Sequence, residues 1–227
     1  MDKKLNSYKG KLSPKQIAEG INIAKNNSYR LARDAELLCN AGRYPSAASL
    51  AILSIEESGK VSILRQMALA RNDEELAESW KDYRSHTKKN VTWLMPELFA
   101  KGARRLEDFR LLFEKNSDHP YILDQLKQIG FYTDCLGKAN WITPENYIDE
   151  STAKGLVKIA DILSKPQKEV TTLEIELWIQ HIKPVWRTNL DDMKAALVAW
   201  SKDMIQHGLE EESENDMEKF LNKGVFQ

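Results

Sequence analysis

One stretch decides the fold: Tyr44-Pro45-Ser46-Ala47-Ala48-Ser49-Leu50-Ala51-Ile52-Leu53-Ser54-Ile55-Glu56-Glu57-Ser58-Gly59-Lys60. Pro suits the first turn of a helix, and the residues from there to Ile55 are small or apolar on every side. A helix that is apolar all round lies in the middle of a bundle. The stretch therefore predicts the central helix of an all-α protein, ending near residue 70. Gly59 costs such a helix about 1 kcal/mol relative to Ala, and we expect it to allow close approach of a neighbouring helix.

Helix signals continue on both sides of this stretch. Ser13-Pro14 can cap and begin a helix, and Gly42 can end it. Apolar spacing and breakers predict the other helices, over about 14–40, 73 to 96, 103–115, 120–128, 150–164, 171–182 and 188–207. In the helix over 103–115, we expect Leu106, Phe109, Leu112 and Phe113 to face inward. The glycines and aromatics of 130–144 predict an ordered loop or a short two-stranded ribbon.

Composition excludes several classes of protein. The 227 residues are 42% hydrophobic and 30% charged, as in an ordinary globular chain. No stretch reaches the ~18 apolar residues that a membrane helix needs, and the start lacks the apolar run of a signal peptide. Only Cys39 and Cys135 are present, without a CxxC pair. We therefore expect a cytoplasmic protein with reduced thiols, no zinc ribbon and no membrane contact.

Charge is distributed unevenly along the chain. Residues 1–120 hold 21 Lys and Arg against 16 Asp and Glu, whereas residues 121–227 hold 12 against 18. A mildly basic first half is compatible with an RNA partner. It is equally compatible with solvated helices whose charge drifts by chance.

Several catalytic motifs are absent from the sequence. There is no GxxxxGK[ST] phosphate loop, no HExxH zinc motif and no GxSxG nucleophile turn. No Glu stands three residues before a His, so the di-iron bundle pattern is also missing. The sequence predicts no metal site and no cofactor.

Two polar clusters stand out against this background. The first, containing Glu56, Glu57 and Lys60, continues the most apolar helix, and charges there need partners or a wet cleft. The second is Arg84-Ser85-His86-Thr87-Lys88-Lys89, which we place within the third predicted helix, so that residues 84 and 88 share one face and 86 and 89 another.

Together the clusters suggest one site for metal-independent RNA cleavage, in which the 2′-hydroxyl attacks its own phosphate. The candidate catalytic residues are His86 as general acid or base, Arg84 on the developing charge, and Glu57 orienting the base. Lys89 is the alternative to Arg84 in its role, and Glu56 is the alternative to Glu57. Candidate phosphate ligands are Lys60, Lys88 and Lys89, and candidate supporting residues are Glu56 and Tyr83. A purely structural interpretation is also open, in which Glu–Arg and Glu–Lys pairs join helices and His86 is a half-exposed hydrogen-bonding residue.

A resemblance bears on this choice. The run from Asn40 to Lys60, with its GRY, SA, LA and EExGK elements, resembles the abortive-infection AbiV family of the HEPN superfamily of small helical bundles. The resemblance extends to 83–89 and to Gly130-Phe131-Tyr132-Thr133-Asp134, which precedes Trp141 and Pro144.

The resemblance implies phage defence through shutdown of infected cells. It also implies a homodimer, since HEPN proteins are often RNases that face an Arg-x(4–6)-His motif across a dimer cleft. Here Ser79, Trp80 and Lys81 occupy the positions where that Arg would stand, and Arg84 is only two residues before His86. Three alternatives follow: an Arg84-x-His86 variant pair, replacement of the Arg by Lys81, or a non-catalytic module that binds RNA or a protein.

We therefore predict an all-α protein with a HEPN-like antiparallel helical bundle over 13–130, an ordered loop over 131–145, a helical C-terminal extension over 146–209 and an acidic tail over 210–227. Expected partners are RNA or a translation component, a phage protein as trigger, and a second copy of the chain.

Overall fold

The computed structural model describes residues 6–114, 117–213 and 216–225. The protein is all-α with one small hairpin, as predicted. Its elements are α1 (Pro14–Asn40), α2 (Tyr44–Ala68), α3 (Asp73–Arg84), α4 (His86–Lys89), α5 (Met95–Ala100), a 3-10 helix (Leu106–Phe113), α6 (His119–Phe131), β1 (Asp134–Leu136), β2 (Asn140–Ile142), a 3-10 turn (Pro144–Asn146), α7 (Glu150–Ser164), α8 (Thr172–Ile182), a 3-10 turn (Lys183–Val185), α9 (Leu190–Gln206) and α10 (Met217–Asn222).

The two longest helices form an antiparallel hairpin at the centre. Ser13 caps α1 by accepting from the Gln16 N–H, while the Gln16 side chain accepts from the Ser13 N–H. Gly42 turns the chain between α1 and α2 with a φ of +72°, a conformation that favours glycine. Both helices have the bounds that the sequence indicates.

Four helices share the main core. Alanines and isoleucines of α2 meet the inner faces of α1, α6 and α7; the buried members are Ala32, Ala35, Cys39, Ala47, Ala48, Ala51, Ile52, Ile55, Leu123, Ile148, Ala153, Leu156 and Ala160. So many small residues allow the helices to approach closely around α2. The sequence predicts α7 as part of the extension after residue 145, whereas in the structure its buried residues belong to this bundle core.

A second core lies at the other end of the α1–α2 hairpin. Ile17 and Ile21 of α1 meet Leu64 of α2, Trp80 of α3 and Ile175 of α8. Burial of these side chains attaches α3 and α8 to the bundle. Beyond α8, the Trp178 and Trp200 rings meet edge to face and bring α9 against the molecule.

The predicted end of the third helix is wrong, and this matters for the site. The helix does not run on to Pro96, because Ser85 has an extended backbone (φ −81°, ψ 127°) that separates α3 from α4. The Ser85 hydroxyl accepts from the Lys88 N–H and so caps the new helix. The prediction that residues 84 and 88 share a helical face is therefore also wrong.

The fourth predicted helix is shorter and tighter than expected. The segment forms a 3-10 helix rather than an α-helix, and Phe109 and Leu112 face inward as predicted. Phe113 is exposed, which contradicts its predicted inward position. Because 3-10 side chains repeat every three residues, Phe109 and Leu112 align while Phe113 does not.

The end of the chain covers a third core, which lies around Phe109. Within the segment predicted as an acidic tail, α10 contains the buried Leu221, and its Phe220 lies beside Phe109 with ring centroids 6.1 Å apart. The Val225 N–H donates to the Arg104 carbonyl oxygen. Glu210 to Ser213 are described and exposed, whereas Glu214 and Asn215 of the acidic run lie outside the described residues.

The glycine-rich segment after α6 forms a two-stranded hairpin, which is one of the two structures that its residues predict. β1 and β2 are antiparallel, with Asp134 opposite Ile142 and Cys135 opposite Trp141. Among the helices of the described ranges, none is long and apolar enough to cross a membrane.

Candidate functional site

A buried carboxylate lies at the centre of the candidate site. Glu56 of α2 is 2% exposed, although it follows directly on the apolar half of that helix. Its Oε2 lies 2.6 Å from His86 Nδ1 and 3.2 Å from Lys89 Nζ, and its Oε1 lies 2.6 Å from Lys127 Nζ. Lys127 also bonds Asp124 Oδ1 at 2.7 Å. We call these five residues the Glu56 cluster.

The cluster joins three separate helices. Glu56 comes from α2, His86 and Lys89 from α4, and Asp124 and Lys127 from α6. Two carboxylates and two ammonium groups balance one another, so Glu56 is buried with its charge compensated. The imidazole is the most exposed member, since the His86 side chain is 50% exposed, that of Asp124 is 30% exposed, and those of Lys89 and Lys127 are 8% and 5% exposed.

Gly59 makes the approach of α4 possible. It lies one turn after Glu56 on the same helix, and a Cβ atom there would lie 2.0 Å from the Lys89 carbonyl oxygen. No side chain fits at that distance, so the α4 backbone can lie against α2 only because residue 59 has none. The expected close approach is confirmed, with α4 as the neighbouring helix.

The carboxylate fixes the orientation of the imidazole. A carboxylate can only accept hydrogen bonds, so in neutral His86 the proton sits on Nδ1 and Nε2 carries the lone pair. Across the described ranges, the hydrogen bond of the His86 ring goes to Glu56 alone. The ring is therefore held from behind while Nε2 remains available to a ligand. This arrangement can accept a proton from a hydroxyl group placed at Nε2.

Two buried contacts hold α6 in register with the segment after α4. The Trp93 Nε1–H donates to the His119 carbonyl oxygen at 3.2 Å, and His119 Nε2 lies 2.8 Å from the Val91 carbonyl oxygen. Asn90 lies between Lys89 and Val91 in the chain. Its side chain is fully buried, and neither its Nδ2 nor its Oδ1 has a partner among the described residues.

The remaining predicted residues occupy other places. Glu57 faces away from the cluster and bonds Lys60 at 2.6 Å, and the Lys60 ammonium lies 5.1 Å from the centre of the Tyr83 ring. These three residues form a separate half-buried contact between α2 and α3. Lys88 is exposed, and no ion pair is described for it.

Arg84 is not brought to His86. Its guanidinium lies 4.9 Å from the centre of the Trp80 ring and donates to the carbonyl oxygens of Trp80 (3.1 Å) and Tyr8 (2.7 Å). The extended backbone of Ser85 explains this separation, because it breaks the helix between Arg84 at the end of α3 and His86 at the start of α4. Arg84 thus holds the N-terminal segment instead of contacting the imidazole.

Sequence reasoning missed Asp124 and Lys127. A signal was present, since Lys127 lies on the buried stripe of α6 between Leu123 and Gly130, where an apolar residue is expected. A lysine at such a position needs a buried anion as partner, and Glu56 is that anion.

Three members of the cluster are of metal-ligating types. Ligand atoms of Glu56, His86 and Asp124 lie within 4.8 Å of one another. The Lys127 ammonium, however, bonds an oxygen of each carboxylate. A divalent cation at this place would have to displace that ammonium, so the donor set fits a metal poorly.

A groove borders the cluster at Asp124. It has a volume of about 500 Å³ and lies between α6 and the hairpin, where Tyr132, Leu136 and Ile142 line it. The hairpin segment that the resemblance singled out therefore lies next to the polar cluster.

The fold and the site define a small all-α bundle protein with an ionic centre between its helices and a half-exposed histidine. The family model described as AbiV matches residues 16–165, and the chain belongs to this family of abortive-infection HEPN proteins. The match covers well over half of the chain and includes α7 as well as every member of the Glu56 cluster. Comparisons with curated proteins and with solved structures gave no match.

Proposed function

We propose that this chain is a cytoplasmic abortive-infection effector that cleaves RNA without a metal ion. The observation that carries the proposal is the 2.6 Å contact between the buried Glu56 carboxylate and His86 Nδ1. It leaves a half-exposed imidazole with one fixed orientation, which is what a general base requires.

In the proposed reaction, the RNA 2′-hydroxyl gives its proton to His86 Nε2 as its oxygen attacks the adjacent phosphorus. The bond between phosphorus and the 5′-oxygen breaks, and this oxygen takes a proton from solvent. The products are a 2′,3′-cyclic phosphate and a 5′-hydroxyl end. Glu56 stabilises the imidazolium that forms, because its carboxylate already accepts from Nδ1.

The phosphate needs a cation, and Lys88 is the exposed lysine of the predicted set, two residues after His86 in α4. Lys89 and Lys60 are engaged by Glu56 and Glu57. A second copy of the chain, as the family resemblance implies, would add a second histidine and lysine across the interface. A phage component is the proposed trigger.

RNA integrity in phage-infected cells tests the proposal. We expect discrete fragments with cyclic-phosphate ends in cells that carry the wild type, and a loss of about 10²-fold or more in cleavage with His86→Ala. His207→Ala is the matched control, because His207 is exposed and its Nδ1 contacts the Asp203 carbonyl oxygen of its own helix. Intact RNA in wild-type cells that have arrested growth would refute the nuclease.

One observation favours a second candidate, a non-catalytic module that arrests growth by binding RNA, a translation component or another protein. Arg84 is engaged by Trp80 and Tyr8, so no arginine of this chain accompanies His86 in the described contacts. Growth arrest that survives His86→Ala, without RNA fragments, would support this candidate.

A further inference from the structure

A basic groove lies between the N-terminal segment and α3, beside the second core. The N-terminal segment 7–11 forms one wall and α3 the other, and the groove has a volume of about 580 Å³. Its lining includes four cationic side chains, Lys9, Lys11, Lys81 and Arg84, and a single acidic one, Asp73.

The cations of this groove form no ion pair with a carboxylate among the described residues, although the charge of Lys81 acts on Asp82 of α3. All four are exposed. By contrast, the lysines near His86 that are buried are bonded to carboxylates, as Lys89 and Lys127 are to Glu56. The groove therefore concentrates positive charge at one place.

Arg84 gives the groove a fixed end. Two of its N–H groups donate to the carbonyl oxygens of Tyr8 and Trp80, and its plane is held over the Trp80 ring. A guanidinium has five N–H groups, so the others remain for an anion such as phosphate. The same bonds hold the N-terminal wall against α3.

The groove ends next to the proposed catalytic residue. Arg84 closes α3 and His86 opens α4, with only Ser85 between them. Two residues span at most about 7 Å, which is close to the spacing of successive phosphates along an extended strand. A strand whose backbone follows the groove would thus arrive at the start of α4, where His86 lies.

We propose that this groove is the binding track for the sugar-phosphate backbone of single-stranded RNA and delivers it to His86. The proposal rests on the proposed function, because it assigns RNA as the ligand. Lys9, Lys11 and Lys81 contact phosphates as flexible point charges, and Arg84 holds the phosphate nearest to the scissile one.

The test measures binding separately from cleavage. In a His86→Ala background, which removes cleavage, a labelled single-stranded RNA is titrated with the full chain at several salt concentrations. Lys9→Gln with Lys81→Gln is compared with Lys158→Gln with Lys165→Gln. The control pair carries the same charge change at exposed lysines of α7 and its end, with no ion pair described for either.

We expect the groove pair to weaken binding at about 0.1 M salt by at least tenfold. We also expect it to reduce the slope of log K against log salt by about 1.4, or about 0.7 for each phosphate that a lysine no longer neutralises. The control pair leaves both quantities nearly unchanged. Equal effects of the two pairs, or no RNA binding by the parent chain, would overturn the inference.

Two further outcomes separate the inference from the proposed function. If the groove pair binds RNA normally and His86-dependent cleavage persists in the otherwise wild-type chain, the track is wrong and the nuclease stands. If polyglutamate binds the groove and RNA does not, the groove accepts an acidic protein surface, and the RNA track is refuted.

Discussion

The carbonyl oxygen of Lys89 lies 2.0 Å from where a side chain at Gly59 would begin. The space left by the missing Cβ atom at Gly59 sets how closely α4 approaches α2. It therefore also sets whether the His86 imidazole reaches Glu56. The position of the His86 imidazole, the candidate base, thus depends on the absence of a Cβ atom at residue 59.

Gly59→Ala is expected to displace α4. The backbone of Lys89 cannot rotate away as a side chain can, so the overlap should lower the free energy of unfolding by about 1–3 kcal/mol. RNA cleavage should fall as well, because His86 moves with α4. Chemical denaturation and a cleavage assay measure the two effects.

The matched control is Gly155→Ala on α7, where a Cβ atom would meet no other atom within 4 Å. There the change should stabilise by up to about 1 kcal/mol, as alanine does in an exposed helix. If the two variants have the same stability, the contact at Gly59 does not constrain α4.

Lys127→Met is expected to destabilise the bundle strongly. It leaves Glu56 and Asp124 without their shared ammonium, and breaking a buried ion pair from one side costs about 3–5 kcal/mol. Lys101→Met, which removes an exposed pair with Glu97, should change stability by less than about 1 kcal/mol.

A double-mutant cycle makes the Lys127 prediction specific. Glu56→Gln removes the charge that Lys127 neutralises, so the double variant should be more stable than the sum of the two single effects implies. Additive effects would mean that Glu56 and Lys127 do not interact.

The tautomer of neutral His86 should depend on the carboxylate of Glu56. In the wild type, neutral His86 carries its proton on Nδ1, which nitrogen-detected NMR of the full chain reports. Glu56→Gln replaces one acceptor oxygen by an N–H donor, so the share of the Nδ1–H form should fall. His207, whose ring bonds the Asp203 carbonyl oxygen instead of a carboxylate, gives the reference signal, and an unchanged His86 spectrum would contradict the contact.

An ion pair at the start of α3 should give a pH-dependent share of stability. Hydrogen bonds from Arg71, together with its charge and that of Arg187, lower the pKa of Glu75 to about 2 from the ordinary 4.5. A lowered pKa stabilises the fold above the unfolded-state value, and this share is lost as pH falls from about 4.5 towards 2.

Arg71→Gln should therefore lower the melting temperature at neutral pH. It should change the melting temperature little near pH 2, the low end of that pH range. Thermal unfolding across this range measures the difference, with Arg30→Gln on the exposed face of α1 as the control. A difference that is constant with pH would show that Glu75 is not the titrating partner.

The fold could largely be predicted from the sequence because its main helices carry local signals. Ser13-Pro14, Gly42 and the apolar run before Glu56 each specify structure within a few residues. The end of α3 could not be predicted in this way, since the residues 84–89 fit a helix, and the break at Ser85 depends on how α4 docks on Gly59.

The site could be predicted only in part, because local sequence signals do not determine which side chains meet between helices. His86 was the candidate base, but the sequence left open whether Glu56 or Glu57 orients it, and the structure brings Glu56 to the imidazole. Which of two adjacent glutamates points inward is set by the phase of α2 against α4 and α6. Lys127, 71 residues away from Glu56 in sequence, enters only through that tertiary packing.

The Phe109 core has a consequence for the order of folding during synthesis. Phe109 packs against Phe220, which follows it by more than a hundred residues, whereas the buried members of the main core all come from α7 or from elements that precede it. Domains fold as the chain emerges from the ribosome. The ionic centre can therefore assemble while translation of the same chain is still in progress, and the Phe109 core closes last.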